Sequence, residues 1–528
     1  MIDNRDALAR SPAHELALDC LQAGIAAADP ARLTRDAVSC DHDTLQIDGT
    51  TYALDDYDEL RVLGGGKAAA VVTAELEAIL GDRLDGGVVV TDTPVSTDCV
   101  DVLAGDHPVP SEAGVASTRR LLETARAADE STLVLAVITG GGSALMAAPA
   151  EGISLTDLRS TTDALLASGA TISEINAVRK HCSAIKGGRL AAATAPASIH
   201  SLVVSDVVGN DLATIASGPF VPDPTTDADA HDVLDRYDCE VPEAVARRLD
   251  RGVAGEIDET PTAGDPVFES VGTTIIGDGM TAVGAAADRA SEAGFEPLVL
   301  SSRVRGEARE AAKTQVAIAE EMRASGEPIS PPAVIVSGGE TTVTVDGDGR
   351  GGPNQEFVLS AAVELAGGAI EDRVVAAVDT DGIDGVTDAA GGIVDDETVD
   401  PAVARSALAD NDANAALAAA DALVSTGPTG TNVNDLRVVV VPAADTYNRQ
   451  HPSRRVDSLT YRRRPAWSMV DPTSDIGEGV DEEDAPECAV CSERIVELPT
   501  HRVISTVTDG QIEHVHVCSD ECRSAYLE

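Results

Sequence analysis

The chain has 528 residues, enough for two or three domains with their own apolar cores, and no run of 18 apolar residues that would span a membrane. It sets 38 Lys and Arg against 90 Asp and Glu, a formal net charge of −52 spread along its length. That balance argues against nucleic-acid binding by the main body and points to a surface adapted to high salt, where mutual repulsion is screened. The start MIDNRDALARSPAHE lacks the plan of a signal peptide, so a cytoplasmic protein is expected.

Residues 1–255 alternate apolar segments (ELRVLGGG, GGVVVTDTP, TLVLAVITGGG, IHSLVVSDVVG) with Ala-rich helical stretches. This is the pattern of an α/β domain with a mainly parallel sheet. The first segment runs into Gly64, Gly65, Gly66 and Lys67, then an amphipathic stretch. Glycines there would let backbone N–H groups approach an anion, with Lys67 and the helix N-terminus adding positive field. It is no Walker A loop, because Val62 stands at the first glycine position and Ala68 follows the lysine. A plain tight turn suits the same residues. Gly140, Gly141, Gly142 and Ser143 repeat the logic after another apolar strand, where open α/β sheets bind ligands. SEINAVRKHCSAIKGGR then gathers Glu174, Asn176, Arg179, Lys180, His181, Lys186 and Arg189. So many cations in so acidic a chain point to an anionic ligand.

Residues 256–441 read as a second α/β domain, with a Pro-, Thr- and acid-rich crossing segment at 255–275. Its strands are TTIIGDGM, FEPLVLSS, AVIVSGGETTVTV, RVVAAVDTDG and LRVVVVP; TTVTVDGDGRGG alternates like a hairpin, which predicts a mixed sheet. Carboxylates sit at strand ends across both domains: Asp206 and Asp211, Glu340, then Asp379, Asp381, Asp384 and Asp388. Phosphoryl transfer from a nucleotide needs Mg²⁺ on oxygen ligands, cations around the moving group, and a carboxylate for the substrate hydroxyl proton. Each aspartate taken alone also suits a helix or turn cap.

Together GGGKAAA, AGDHPVPSEAG, ITGGGSAL, ISEINAVRKHCSAIKGGRLA, VSDVVGNDLATIASGP, SGGETTVTV, GGPNQEF, TDGIDGVTDAAGG and GPTGTNVNDL resemble, in order over about residues 10–441, the glycerate kinases of the MOFRL type. The resemblance implies two α/β domains with the active site in the cleft between them. It implies transfer of the ATP γ-phosphoryl, with Mg²⁺, to the 2-hydroxyl of D-glycerate. Lys67 takes the role of a phosphate or substrate contact and Asp206 that of a catalytic carboxylate, with Asp381 beside them. Asn354 and Glu356 of GGPNQEF, and Thr429, Asn432, Asn434 and Asp435 of GPTGTNVNDL, are expected near the cleft. Many relatives read GGRNQE where this chain has Pro353, so Arg350 is expected to supply the missing cation. A homodimer is among the assemblies this reading allows.

Residues 442–486 show no helical or strand period and read as a linker. Residues 487–528 carry Cys488, Cys491, Cys518 and Cys522, a CxxC and a CxxxC separated by 26 residues. The pairs suit a turn between short strands and the start of a helix, a treble-clef-like zinc arrangement that resembles the small TRASH-like modules. Its partner is not written in the sequence. Three other readings compete: a hydroxypyruvate or tartronate oxidoreductase, a kinase acting on a related sugar acid, and a zinc-dependent regulator with a vestigial kinase body. The first is disfavoured because no acidic residue is seen closing a second strand about 20 residues after the glycines.

Overall fold

The computed structural model describes residues 2–366, 373–443, 488–491, 502–508, 511–519, 522, 525 and 526. The linker expected at 442–486 lies, but for its first two residues, outside them. Two compact units divide the chain at Ala444 and Asp445.

The first unit holds two six-stranded sheets. A small antiparallel sheet, β1 (Val38–Asp41), β2 (Thr44–Ile47) and β3 (Thr50–Ala53), precedes them. The first large sheet contains β4 (Glu59–Gly65), β5 (Gly86–Thr91), β6 (Val100–Ala104), β7 (Thr132–Thr139), β8 (Ser198–Val204) and β9 (Val271–Gly277). Its order is β6-β5-β4-β7-β8-β9, all parallel. Strand β7, TLVLAVIT, is buried at every position, as expected where both faces of a parallel sheet are covered. Truncating Leu135 there to alanine should cost about 2–5 kcal/mol. The chain winds one way from β4 and the other way from β7, so the crevice between these two strands is the topological switch point.

The second sheet has the order β10-β11-β15-β12-β13-β14. Its strands are β10 (Glu296–Val304), β11 (Ala333–Gly339), β12 (Val374–Asp379), β13 (Gly391–Val394), β14 (Leu423–Val424) and β15 (Asp435–Val441). Only β10 and β11 pair in parallel; β15 runs antiparallel between β11 and β12. The register sets Gly339 opposite Asp435 and Asp435 opposite Asp379, so one rim gathers the acidic ends of three strands.

Three expectations change. The sheet is mixed, but not through a hairpin at TTVTVDGDGRGG, where Thr342 makes one isolated bridge to Glu307 and no strand forms. The segment TTIIG belongs to the first sheet as β9, so that sheet runs past the boundary drawn at 255. The crossing comes after it, at Asp278, whose carboxylate caps the helix Gly279–Glu292. That helix packs against β10, β11 and the N-terminal helix Pro12–Ala27, which itself lies against β12 and β15 of the second sheet. Gly24 permits this approach, since a Cβ there would sit 2.4 Å from a Leu436 methyl and 2.8 Å from the Ala282 carbonyl.

In the second unit, β16 (Arg502–Thr508) and β17 (Gln511–Val517) form an antiparallel hairpin between the two cysteine pairs.

Candidate active site

The parallel sheet delivers the ends of β4, β5, β7 and β8 to one rim, as Lys67, Asp92, Gly140 and Asp206. A cavity of about 250 Å³ opens there, lined by Lys67, Asp92, Thr139 and Gly140 on one side and by Asp381, Ile383, Gly430 and Asn432 on the other. Glycine at 140 is required, because a Cβ would fall 2.2 Å from Asp206 Oδ2. At Gly141, with φ +76°, a Cβ would meet the Lys67 stem and the His107 ring at 3.1 Å. Lys67 and Asp206 thus flank one glycine pair. Burial pushes the Asp206 carboxyl above its usual range, and the Lys67 charge offsets part of that. Among the described residues the Lys67 ammonium makes no ion pair or hydrogen bond, so its charge is available to a ligand.

The turn at Gly65 and Gly66 does not present free amides. The N–H groups of Gly66, Lys67 and Ala68 donate to Val90 O at 3.0 Å, Gly140 O at 2.8 Å and Thr139 Oγ1 at 3.2 Å. The glycines serve close packing instead: a Cβ on Gly64 would lie 1.9 Å from the Val137 carbonyl, and one on Gly66 2.1 Å from Thr139 Oγ1. The anion cradle expected at this turn is therefore absent, and Lys67 carries its chemistry.

Beyond Gly142, Ser143 Oγ receives the Arg179 guanidinium at 2.8 Å and the Lys186 ammonium at 3.0 Å, and lies 2.7 Å from Ser217 Oγ. Lys186 also donates to the Ser143 carbonyl at 2.8 Å, and Asn176 Oδ1 accepts from Arg179 and Ser217 at 3.4 Å. Burial lowers the pKa of both cations, Lys186 strongly and with help from Arg179. The rest of that dense stretch is structural. Glu174 closes a capping box with Thr171 and accepts from Tyr237 and Arg236; these bonds bring its pKa down to about 2. Lys180 pairs with Asp223 at 3.2 Å.

The opposite rim is acidic. Asp379 is pushed well above the ordinary carboxylate value by burial, then by Asp381 and Asp435. Glu340, closing β11, is raised by the protein packed around it and by the charges of Asp435 and Asp206. Asp381 accepts from the Ile383 amide at 2.8 Å, and its own carbonyl holds the Thr429 amide at 3.1 Å. Thr429 Oγ1 donates to Thr380 O at 2.6 Å, and Asn432 Oδ1 accepts from the Asn434 amide at 3.0 Å. These bonds shape the loop that puts Asn432 on the cavity.

Four residues expected to bind ligand are buried wiring. Asp384 accepts the Asn354 and Gln355 amides at 3.0 and 2.8 Å, capping the helix Pro353–Ala366, and burial lifts its carboxyl to about 7. Asn354 donates to Asp435 at 2.6 Å, and Asp435 also pairs with Arg437. Glu356 is held by Arg309 at 2.9 Å and Asn411 at 2.7 Å. Arg350 does not replace the cation missing at Pro353: its side chain is exposed and its guanidinium donates to Val386 O at 2.7 Å.

Sequence reasoning passed over His107, Ser217 and Asp92. His107 and Ser217 lie inside AGDHPVPSEAG and ATIASGP, and only the fold brings them to the glycine pair and to Ser143. An acid does close a second strand, since Asp92 directly follows β5. Groups whose ligand atoms converge within 4.8 Å, among the described residues, are His181 with Asp227 and Glu259, and the four tail cysteines. In the latter, desolvation raises the Cys488 pKa, but the amides of Cys491, Val490 and Cys518 outweigh it and bring it to about 6.

A family model described as a domain of unknown function (DUF4147) matches residues 16–250, the MOFRL family matches 333–435, and a family of unknown function (DUF7576) matches 469–528. The chain is 43% identical over 392 residues to a putative hydroxypyruvate reductase of Agrobacterium vitis, covering 72% of this chain and 86% of that protein. It is 39% identical over 437 residues to the glycerate 2-kinase of Pyrococcus horikoshii, covering 81% and 97%. The crystal structure of glycerate kinase from Thermotoga maritima superposes with a TM-score of 0.71 at 37% identity, covering 81% of this chain and 99% of that one.

Proposed function

The chain belongs to the glycerate 2-kinase family that carries the MOFRL domain, and we propose that it transfers the γ-phosphoryl group of ATP to the 2-hydroxyl of D-glycerate. The observation that carries this reading is the convergence of Asp206 on Gly140 and of Lys67 on Gly141, beside a cavity that Lys67 and Gly140 line from one side and Asp381 from the other. In-line transfer needs no enzyme nucleophile. Asp206, with its raised pKa, accepts the hydroxyl proton as the oxygen attacks, and Lys67 faces the charge on the moving phosphoryl oxygens. Mg²⁺ supplies charge neutralisation of the nucleotide phosphates, and Glu340, Asp379 and Asp381 would hold it. The raised pKa values of Glu340 and Asp379 fit such a role, because crowded carboxylates lack a cation. The three carboxylates are not among the groups of described residues whose ligand atoms all converge within 4.8 Å, which suits a metal that arrives bound to phosphates.

The name of the Agrobacterium relative and the position of Asp92 favour a second reading, reduction of hydroxypyruvate with a nicotinamide cofactor. It meets a physical obstacle: the three amides of the first glycine turn, which a dinucleotide pyrophosphate would need, are already bonded. Incubation at multimolar KCl separates the two. ADP release with D-glycerate and Mg-ATP supports the kinase; NADH oxidation with hydroxypyruvate and no ATP turnover overturns it.

We further infer that the tail is a separate module whose Cys488, Cys491, Cys518 and Cys522 would hold one Zn²⁺ as a closed structural site, dispensable for catalysis. The full chain should contain about one zinc by elemental mass spectrometry, lost in a Cys488→Ser, Cys491→Ser variant that keeps its kinase rate. The net charge of −52 supports a salt-adapted enzyme.

A further inference from the structure

Lys186 is 2% exposed and, among the described residues, neither it nor Arg179 has a carboxylate partner. On the helix that carries Arg179, Ile172–His181, Lys180 is neutralised by Asp223. In a chain with 90 acidic and 38 basic residues, leaving two adjacent cations uncompensated is costly unless an anion completes the site. The donor inventory agrees. Of the three protons of the Lys186 ammonium, the Ser143 hydroxyl and carbonyl take two; of the five on the Arg179 fork, Ser143 and Asn176 take two. Because Ser143 Oγ accepts from both cations, its own proton goes to Ser217, whose proton in turn reaches Asn176 Oδ1. The network fixes Ser143 and leaves donors of both cations free.

We propose that Arg179, Lys186 and Ser143 seat the carboxylate of the acid substrate and thereby select a hydroxy acid over an uncharged polyol. The proposal rests on the kinase reading and adds which end of the substrate goes where. Ser143 is on the same turn as Gly140, which abuts Asp206, and Gly141, which abuts Lys67. In a 2-hydroxy acid the carboxylate and the reacting hydroxyl are on neighbouring carbons, so the seat and the reacting pair must be this close. Nucleotide phosphates bring Mg²⁺ with them and suit the acidic rim of Glu340, Asp379 and Asp381. A bare carboxylate, with no metal to shield it, suits the Ser143 turn, where Arg179 and Lys186 have no carboxylate partner among the described residues. The planar fork of Arg179 matches carboxylate geometry.

The test is calorimetric binding to the full chain without nucleotide, using D-glycerate, 3-hydroxypropionate, which keeps the carboxylate but lacks the 2-hydroxyl, and glycerol, which lacks the carboxylate. Wild type should bind both acids and not glycerol. Arg179→Met and Lys186→Met should each weaken both acids on the order of 100-fold, Arg179→Lys on the order of 10-fold, with Mg-ATP affinity within about twofold of wild type. Thermal melting identifies any variant that has lost its fold, and Arg179→Lys keeps the charge in place should the methionine variants unfold. A fall in Mg-ATP affinity with acid binding intact would overturn the proposal, by assigning the cations to the nucleotide. Equal binding of glycerol and glycerate would overturn it as well. If D-glycerate is never phosphorylated but 3-hydroxypropionate binding still depends on both cations, the seat stands and the kinase reading fails.

Discussion

The two walls of the cleft are built alike but differ in charge. Each follows a six-stranded sheet, yet the all-parallel sheet sets Lys67 on the cavity, with Arg179 and Lys186 on Ser143 of the adjoining glycine turn, whereas the mixed sheet sets Asp381 on it, with Glu340 and Asp379 at its strand ends. The difference comes from topology. In the parallel sheet every strand ends at the rim in a loop, so glycine turns and the helices after them can bring cations to the switch point. In the mixed sheet β15 begins at that rim, and the register lines up its first residue, Asp435, with Gly339 and Asp379. One wall therefore suits an anionic substrate, and the other suits a metal carried on phosphates. Asp206 belongs to the cationic wall by sequence position but lies within reach of Glu340's field, so it stands where the two chemistries meet.

The sharpest way to break this division is at that meeting point. Asp206→Asn should lower kcat on the order of 10³-fold with the fold intact, since the shape is kept and the proton acceptor lost. Lys67→Ala should lower kcat/KM about 100-fold, corresponding to about 3 kcal/mol of lost stabilisation of the moving phosphoryl group. Unchanged kinetics in either variant would detach that wall from the reaction.

A smaller effect is expected from geometry alone. Gly140→Ala drives a methyl onto the Asp206 carboxylate and should cost about 10- to 100-fold in kcat. Gly152→Ala is the control: its φ of +84° strains an alanine, as the backbone at Gly140 does not, but the space around it is open and away from the cavity, so only stability should fall.

The smallest expected effect is a loss of acid binding as pH rises, seated on the cationic side. Burial and the neighbouring Arg179 charge hold the Lys186 pKa well below the usual lysine value, and Arg179, Ser143, Ser217 and Asn176 surround it without a carboxylate. An acid substrate needs the charged ammonium, which is full at low pH and discharges as pH rises through that lowered pKa. KM for D-glycerate should therefore rise with pH, whereas KM for Mg-ATP should not, because Glu340 and Asp379, whose pKa values are raised, only gain charge as pH rises. Initial rates across pH for each substrate at saturation of the other make the check, and a nucleotide-selective rise would reverse the assignment of the walls.

The sheet strands were largely legible because burial on both faces gives long apolar runs such as TLVLAVIT and LRVVVV. Strand partnership was not: TTIIG looks the same whether it closes the first sheet as β9 or opens the second, and pairing is a long-range property. The same limit explains the two glycine turns. GGGK and GGGS are near copies as strings, but the amides after the first are spent on β5 and β7 while the second turn abuts Lys67 and Asp206. Sequence also over-assigned polar residues around the cleft. Glu174, Asn354, Glu356, Asp384 and Asp435 are polar residues in motif positions, and a residue that caps a buried helix cannot be told from one that binds a ligand until its partners are known. Arg350 lies close to Pro353 in sequence, but the loop carries its guanidinium to Val386 instead.

The central claim is that a three-carbon acid sits with its carboxylate on the cationic wall and its 2-hydroxyl between Asp206 and Lys67. The most direct measurement is ³¹P NMR of the product formed by the full chain from D-glycerate, ATP and Mg²⁺ at multimolar KCl. The account predicts a single phosphomonoester on C2, 2-phosphoglycerate, with one ADP formed for each. Phosphate on C3 would place the primary hydroxyl at Asp206, and would contradict the account.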